Sequence, residues 1–116
     1  MIDYVLLLLA HTALPHAEVR CPAALGGHRF VGAAMYDGPI GVRRSALAPE
    51  RERRASFERQ SWLLPSGGQG VWVECRYDRT PQTLSLTLRE ENLECSMMLE
   101  FDAQGRVIQA APLACS

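Results

Sequence analysis

A chain of 116 residues with 13 acids, 12 arginines, no lysine and three histidines carries a formal net charge of −1. That length sets one domain whose core has little stability to spare. The charge balance excludes general nucleic-acid binding, which needs an excess of positive charge facing the phosphates.

The chain opens on an apolar run, Val5–Ala10 (VLLLLA), that fades towards Leu14. About ten apolar residues are too few to span a bilayer and suit the hydrophobic region of a secretory leader. Ala17 offers a cleavage point, so residues 1–17 are expected as a signal peptide and 18–116 as a single β-rich domain. The start, Met1-Ile2-Asp3-Tyr4, lacks the usual positive charge, and the competing reading is a buried N-terminal strand. Glu18-Val19-Arg20 before Cys21 does not form a lipobox, so neither a lipid anchor nor membrane insertion after cleavage is expected.

Arg29–Tyr36 alternates in polarity and stops at Asp37-Gly38-Pro39, a strong turn signal. Its small residues Gly32, Ala33 and Ala34 predict close packing across the strand. Residues 41–56 show no period of two and carry five arginines with two glutamates. Pro49 at the first helical position predicts a short helix over Glu50–Arg54 within an exposed loop. Phe57–Leu64 reads as a strand, followed by a Gly-rich connection over 65–70.

The stretch from Gly70 to Phe101 organises the rest. Val71, Val73, Cys75 and Tyr77 form one apolar face; Leu84, Leu86 and Leu88 form a second; Leu93, Cys95, Met97, Leu99 and Phe101 form a third. A period of two repeated with turn formers between predicts an antiparallel sheet with one buried face. The turn Asp102–Gly105 leads to a last strand over Val107–Ala110. The fold class is therefore all-β and mainly antiparallel, either a small sandwich or a partly open barrel with one short helix.

Four cysteines in a short chain with a signal-like start imply two disulfides in an oxidising compartment. There is no C-x-x-C pair, and scattered thiolates make a zinc site the weaker alternative. Four cysteines allow three pairings. If the three central strands form a meander, Cys75 and Cys95 lie two strands apart, about 9–10 Å, beyond the reach of a bridge. Cys95 and Cys115 lie on strands joined by one turn, with Pro112 able to supply an aligning bulge. The favoured pairs are thus Cys21–Cys75 and Cys95–Cys115.

No catalytic set assembles. His28 is the one histidine beyond the leader, no serine sits in a G-x-S-x-G context, and the paired acids fall on turns or solvent faces. No cofactor or metal is expected, and the chain reads as a non-enzyme. The charge layout points instead to a protein partner: residues 41–60 hold six arginines and three glutamates, whereas Glu90, Glu91, Glu94, Glu100 and Asp102 cluster without a base. Trp62, Trp72 and Tyr77 are candidate anchors, Trp72 foremost because alternation turns it away from Val71, Val73 and Cys75. The expected partner-binding set is Trp72, Arg76, Glu90, Glu91 and Glu94.

Cys21-Pro22, Tyr36-Asp37-Gly38-Pro39, Leu47 with Pro49, Trp62-Leu63, Cys75-Arg76-Tyr77, Cys95 and Cys115 together resemble a family of small secreted proteobacterial proteins, some encoded beside type VI secretion genes. The resemblance covers nearly all of the chain beyond residue 17, while the Arg-rich 51–54 segment departs from it. It implies a periplasmic immunity protein that neutralises a cell-wall-targeting toxin by occluding its active site. The alternative is a cell-envelope accessory module that binds a glycan or small ligand.

Overall fold

The computed structural model describes residues 18–41 and 45–116, which form two antiparallel sheets packed face to face. The strands are β1 (Val19–Arg20), β2 (Ala24–Leu25), β3 (His28–Tyr36), β4 (Ala46–Leu47), β5 (Glu50–Arg54), β6 (Phe57–Leu63), β7 (Trp72–Tyr77), β8 (Thr83–Thr87), β9 (Glu94–Phe101) and β10 (Val107–Cys115). The first sheet has the order β1-β10-β9-β6-β5 and the second β2-β3-β7-β8, with β4 paired to the end of β3. Both sheets stay open, so the architecture is a sandwich and not a barrel. The expected leader over 1–17 and the arginines at 43 and 44 lie outside the described residues.

Alternation builds the core. Val73, Cys75 and Tyr77 of β7 point inward, as do Cys95, Met97 and Leu99 of β9, and all six are buried. They meet Phe30, Met35, Trp62, Leu88 and Leu113 in one cluster shared by the two sheets. Phe30 and Tyr77 pack edge to face, 6.1 Å between centroids. Each buried polar tip has a partner: the Trp62 indole donates to the Leu47 carbonyl at 2.9 Å and the Tyr77 hydroxyl to the Pro22 carbonyl at 2.9 Å. Trp62 and Tyr77 are therefore core residues and cannot serve as surface anchors.

Two disulfides close the structure. Cys21 lies between β1 of the first sheet and β2 of the second, and its bond to Cys75 on the inner face of β7 ties the sheets together. Cys95 and Cys115 are direct cross-strand partners on β9 and β10. A register shift between Ala111 and Ala114, spanning Pro112, brings them opposite each other.

Three expectations change. Glu50–Arg54 is a strand, not a helix: it pairs with β6 from Glu50↔Ser61 to Arg54↔Phe57. Every residue of β5 is exposed, so it lacks the buried face that would have written a hydrophobic period of two. The central strands do not form a meander either. Among the described residues β8 pairs only with β7, and the chain then crosses to the other sheet, where β9 lies between β6 and β10. Gly32, finally, is not a close-packing site, since an added Cβ there would meet nothing within 4 Å.

The acidic side chain of Asp102 caps the β9–β10 turn. Its Oδ1 accepts the N–H groups of Gln104 and Arg106 at 2.9 Å each, and its Oδ2 faces Arg106 Nε at 3.2 Å. These bonds hold its carboxyl below the usual range, the Arg106 amide first among them. Asp102 is thereby committed to the turn and removed from the acidic cluster read in the sequence.

Candidate partner-binding face

The predicted partner-binding residues divide between two surfaces. Trp72 and Arg76 lie on the outer face of the second sheet, four positions apart along β7, about 13 Å. Trp72 is half-buried between Tyr36 and Thr87, its neighbours across the ladder. Arg76 is engaged by Glu74 at 2.8 Å and reaches the Tyr36 hydroxyl at 3.4 Å; the Glu74 carboxylate is the main reason its guanidinium holds its proton more tightly than usual. Glu90 and Glu91 instead belong to the crossing from β8 to β9, and Glu94 opens β9 in the first sheet.

That crossing is held rigidly. Asn92 is fully buried; its Oδ1 accepts the Arg89 N–H at 2.8 Å and its Nδ2 lies 3.4 Å from the Cys115 carbonyl. The loop before β7 packs against it through two glycines. A Cβ at Gly67 would run into the Glu90 carbonyl oxygen, and one at Gly68 would stand 2.6 Å from Arg89 O and Leu88 Cβ. Ser116 extends the β9–β10 pairing by exchanging bonds with Glu94 in both directions, at 2.9 and 3.2 Å. Acids and neighbouring apolar side chains are thus displayed on a fixed frame. Replacing Asn92 by Ala strands the Arg89 amide and opens a small void, and is expected to cost about 2 kcal/mol in a denaturant melt.

What the sequence reading missed is the outer face of the β6–β9 ladder. Its register sets Leu63 opposite Glu94, Ser61 opposite Ser96, Arg59 opposite Met98 and Phe57 opposite Glu100. Phe57, Leu63 and Met98 are among the most exposed large apolar residues of the chain, Leu63 at 74%. Leu93, at 52%, adjoins the same end: its carbonyl accepts the Leu64 N–H at 2.8 Å. Phe57 and Met98 form a ridge between two shallow depressions, one edged by Glu52, Arg54 and Arg59, the other by Glu100, Gln109 and Ala111. The row from Phe57 to Leu63 measures about 20 Å. Exposed apolar anchors on a paired ladder, rimmed by both signs of charge, have the make-up of a protein-docking surface. The signal in the sequence was Met98, a large apolar residue on the polar side of its strand.

A depression of about 500 Å³ at the side of the sandwich is lined by Arg29, Asp78, Arg79, Asp102, Arg106 and Ile108. Its guanidinium groups already face carboxylates, Arg29 on Asp78 at 3.5 Å and Arg106 on Asp102 at 3.2 Å. Arg29 also donates to the Val107 carbonyl, which makes this cluster a tie between the sheets.

No solved structure matches the chain. A protein of Azospirillum brasilense described as "Uncharacterized 16.3 kDa protein in trpG 5'region" is 32% identical over 129 residues, covering 88% of this chain and 86% of that one. The model of the family described as "Type VI secretion system Tli immunity protein" matches residues 22–116, which is the whole sandwich from Pro22 onward and both of its disulfides except Cys21. The chain belongs to the type VI secretion system Tli immunity protein family.

Proposed function

We propose that the protein reaches the periplasm by cleavage of residues 1–17 and there binds a type VI effector, blocking its active cleft by occlusion. Family membership supports an effector as the partner. Both disulfides suit an oxidising compartment. The contact surface is the outer face of β6 and β9, with Leu63 and Leu93 beside Glu90, Glu91 and Glu94 as its central anchor. The observation that carries the choice is the gathering of Phe57, Leu63, Leu93 and Met98 on and beside one rigid ladder. Occlusion is a binding role and asks for no catalytic group in this chain.

Co-expression of the tagged protein with the effector encoded beside it tests the reading. A stoichiometric complex that protects the producing cell is the expected result. Absence of a complex, or substrate turnover by the purified protein alone, overturns it. The effector's own substrate, which the family resemblance gives as the cell wall, is identified by assaying the captured protein.

A further inference from the structure

The two sheets end in edge strands of opposite character. In the first sheet Phe101 donates to the Ser56 carbonyl at 2.9 Å, which makes Phe57 and Glu100 a non-hydrogen-bonded pair and turns the Phe57 amide and carbonyl towards β5. By alternation Arg51 and Arg53 then present their backbone groups at the open edge. That edge is charged along its length, Glu-Arg-Glu-Arg-Arg, the usual protection against strand addition. Antiparallel pairing of two such edges about Glu52 would set Arg51 against Arg53 and Glu52 against itself.

The second sheet ends in β8, Thr83-Leu84-Ser85-Leu86-Thr87, which has no charge, no proline and no bulge. Leu88 donates to the Val71 carbonyl at 3.0 Å, so Trp72 and Thr87 are a non-hydrogen-bonded pair. It follows that Thr83, Ser85 and Thr87 turn their N–H and C=O groups outward, away from β7. Among the described residues nothing pairs with them. The nearest charges, Glu74 and Arg76 on β7, neutralise each other at 2.8 Å.

We infer that β8 is a self-association edge and that its occupant is a second copy of this chain. The strand reads the same in both directions. Antiparallel pairing about a two-fold axis through Ser85 sets Thr83 against Thr87, Leu84 against Leu86 and Ser85 against Ser85. The three outward-facing residues become the hydrogen-bonded pairs, each exchanging both backbone bonds. Threonine faces threonine on the outer side, a favourable cross-strand pair, and the half-buried Leu84 and Leu86 gain cover on the inner side. No like charges meet, in contrast to β5. The result is an isologous dimer with one continuous sheet running through both copies. The β6–β9 face lies on the other sheet of each copy and stays open, so the dimer offers two effector sites.

Such an edge buries less than the roughly 1,200 Å² of a standard interface, so the dimer is weak and concentration-dependent. Sedimentation of the purified protein without effector, up to about 1 mM, is expected to show a monomer–dimer equilibrium. Ser85→Pro removes an N–H that pairs with nothing among the described residues, at an edge position where proline is tolerated, and should leave a folded monomer. Ser85→Arg sets like charges face to face and should do the same, and it decides the matter if the proline variant does not fold. A wild-type monomer throughout, or folded Ser85 variants that dimerise like the wild type, overturns the assignment. Because no effector is present, failure here leaves the effector-binding reading untouched.

Discussion

Replacing Cys21 and Cys75 together by Ala is expected to lower the melting temperature by roughly 15–30 °C. The bridge closes a loop of 54 residues, for which chain entropy gives about 4 kcal/mol. In a domain of about 100 residues each kcal/mol moves the midpoint by about 4–8 °C. The location sharpens the effect. Cys21 sits where the chain passes from the first sheet to the second, its N–H bonded to the Leu113 carbonyl at 2.9 Å, and its sulfur reaches the inner face of β7. Without that bond the short strands β1 and β2, two residues each, lose their shared anchor. The Cys95–Cys115 pair closes 20 residues between strands that already pair, and its removal is expected to cost about 3 kcal/mol. Thermal melts of the two double variants, each beside the wild type, measure both losses. Equal or reversed losses would show that the intersheet staple is not what limits unfolding. Because all four sulfurs are fully buried, mild reductant acting on the native protein should leave the melt unchanged.

The all-β architecture was legible wherever burial imposed alternation. β7, β8 and β9 each carry one face to the core, and their sequences carry the same period; in β3 a register shift between Phe30 and Gly32 breaks the period, and β6 turns Glu58, Gln60 and Trp62 inward, so neither shows a clean apolar alternation. β5 has no such face. Its only period of two is the Glu-Arg alternation, which a solvated helix can carry equally well, and Pro49 in front of it tipped the reading towards a helix. The step from β8 to β9 was hidden for a different reason. Apolar alternation states that a strand has a buried side and is silent about which sheet it joins; Leu88–Leu93 is short enough for a hairpin, yet the buried Asn92 redirects it across the sandwich. Cys75 and Cys95 are therefore not two strands apart in one meander but lie in different sheets. The proposed contact face was less legible than the fold. Of the candidate anchors Trp62, Trp72 and Tyr77, with Trp72 foremost, Trp62 and Tyr77 hide their rings in the core and spend their polar tips on backbone carbonyls. The exposed row became visible only when register set Met98 beside Arg59 and Leu63 beside Glu94.

Leu63→Asp combined with Leu93→Asp is expected to weaken effector binding by at least about 1,000-fold while leaving the melt within a few degrees of the wild type. Central apolar anchors at protein interfaces contribute about 2–4 kcal/mol each when truncated, and an acid in their place adds desolvation of an unpaired charge. The folded chain by itself loses little, because Leu63 and Leu93 are 74% and 52% exposed and neither belongs to the buried cluster. The added charge also enlarges the local acidity of Glu90, Glu91 and Glu94, so against a basic effector rim steering would offset a small part of the loss; raising the salt concentration separates the two, since screening alters the charged contribution and not the lost apolar contact. Trp72→Ala and Arg76→Ala supply the counterpart on the other sheet, where the expected change in affinity is less than about threefold, as for residues outside the contact. Calorimetric titration of the effector with each variant reads both arms. A loss at Trp72 with none at the leucines would move the contact to the outer face of β7 and leave the β6–β9 row without a partner. The predicted outcome places occlusion on the sheet whose loop, Asn92 and Cys95–Cys115 bond hold the anchors in position before the effector arrives, so that little ordering entropy is lost on binding.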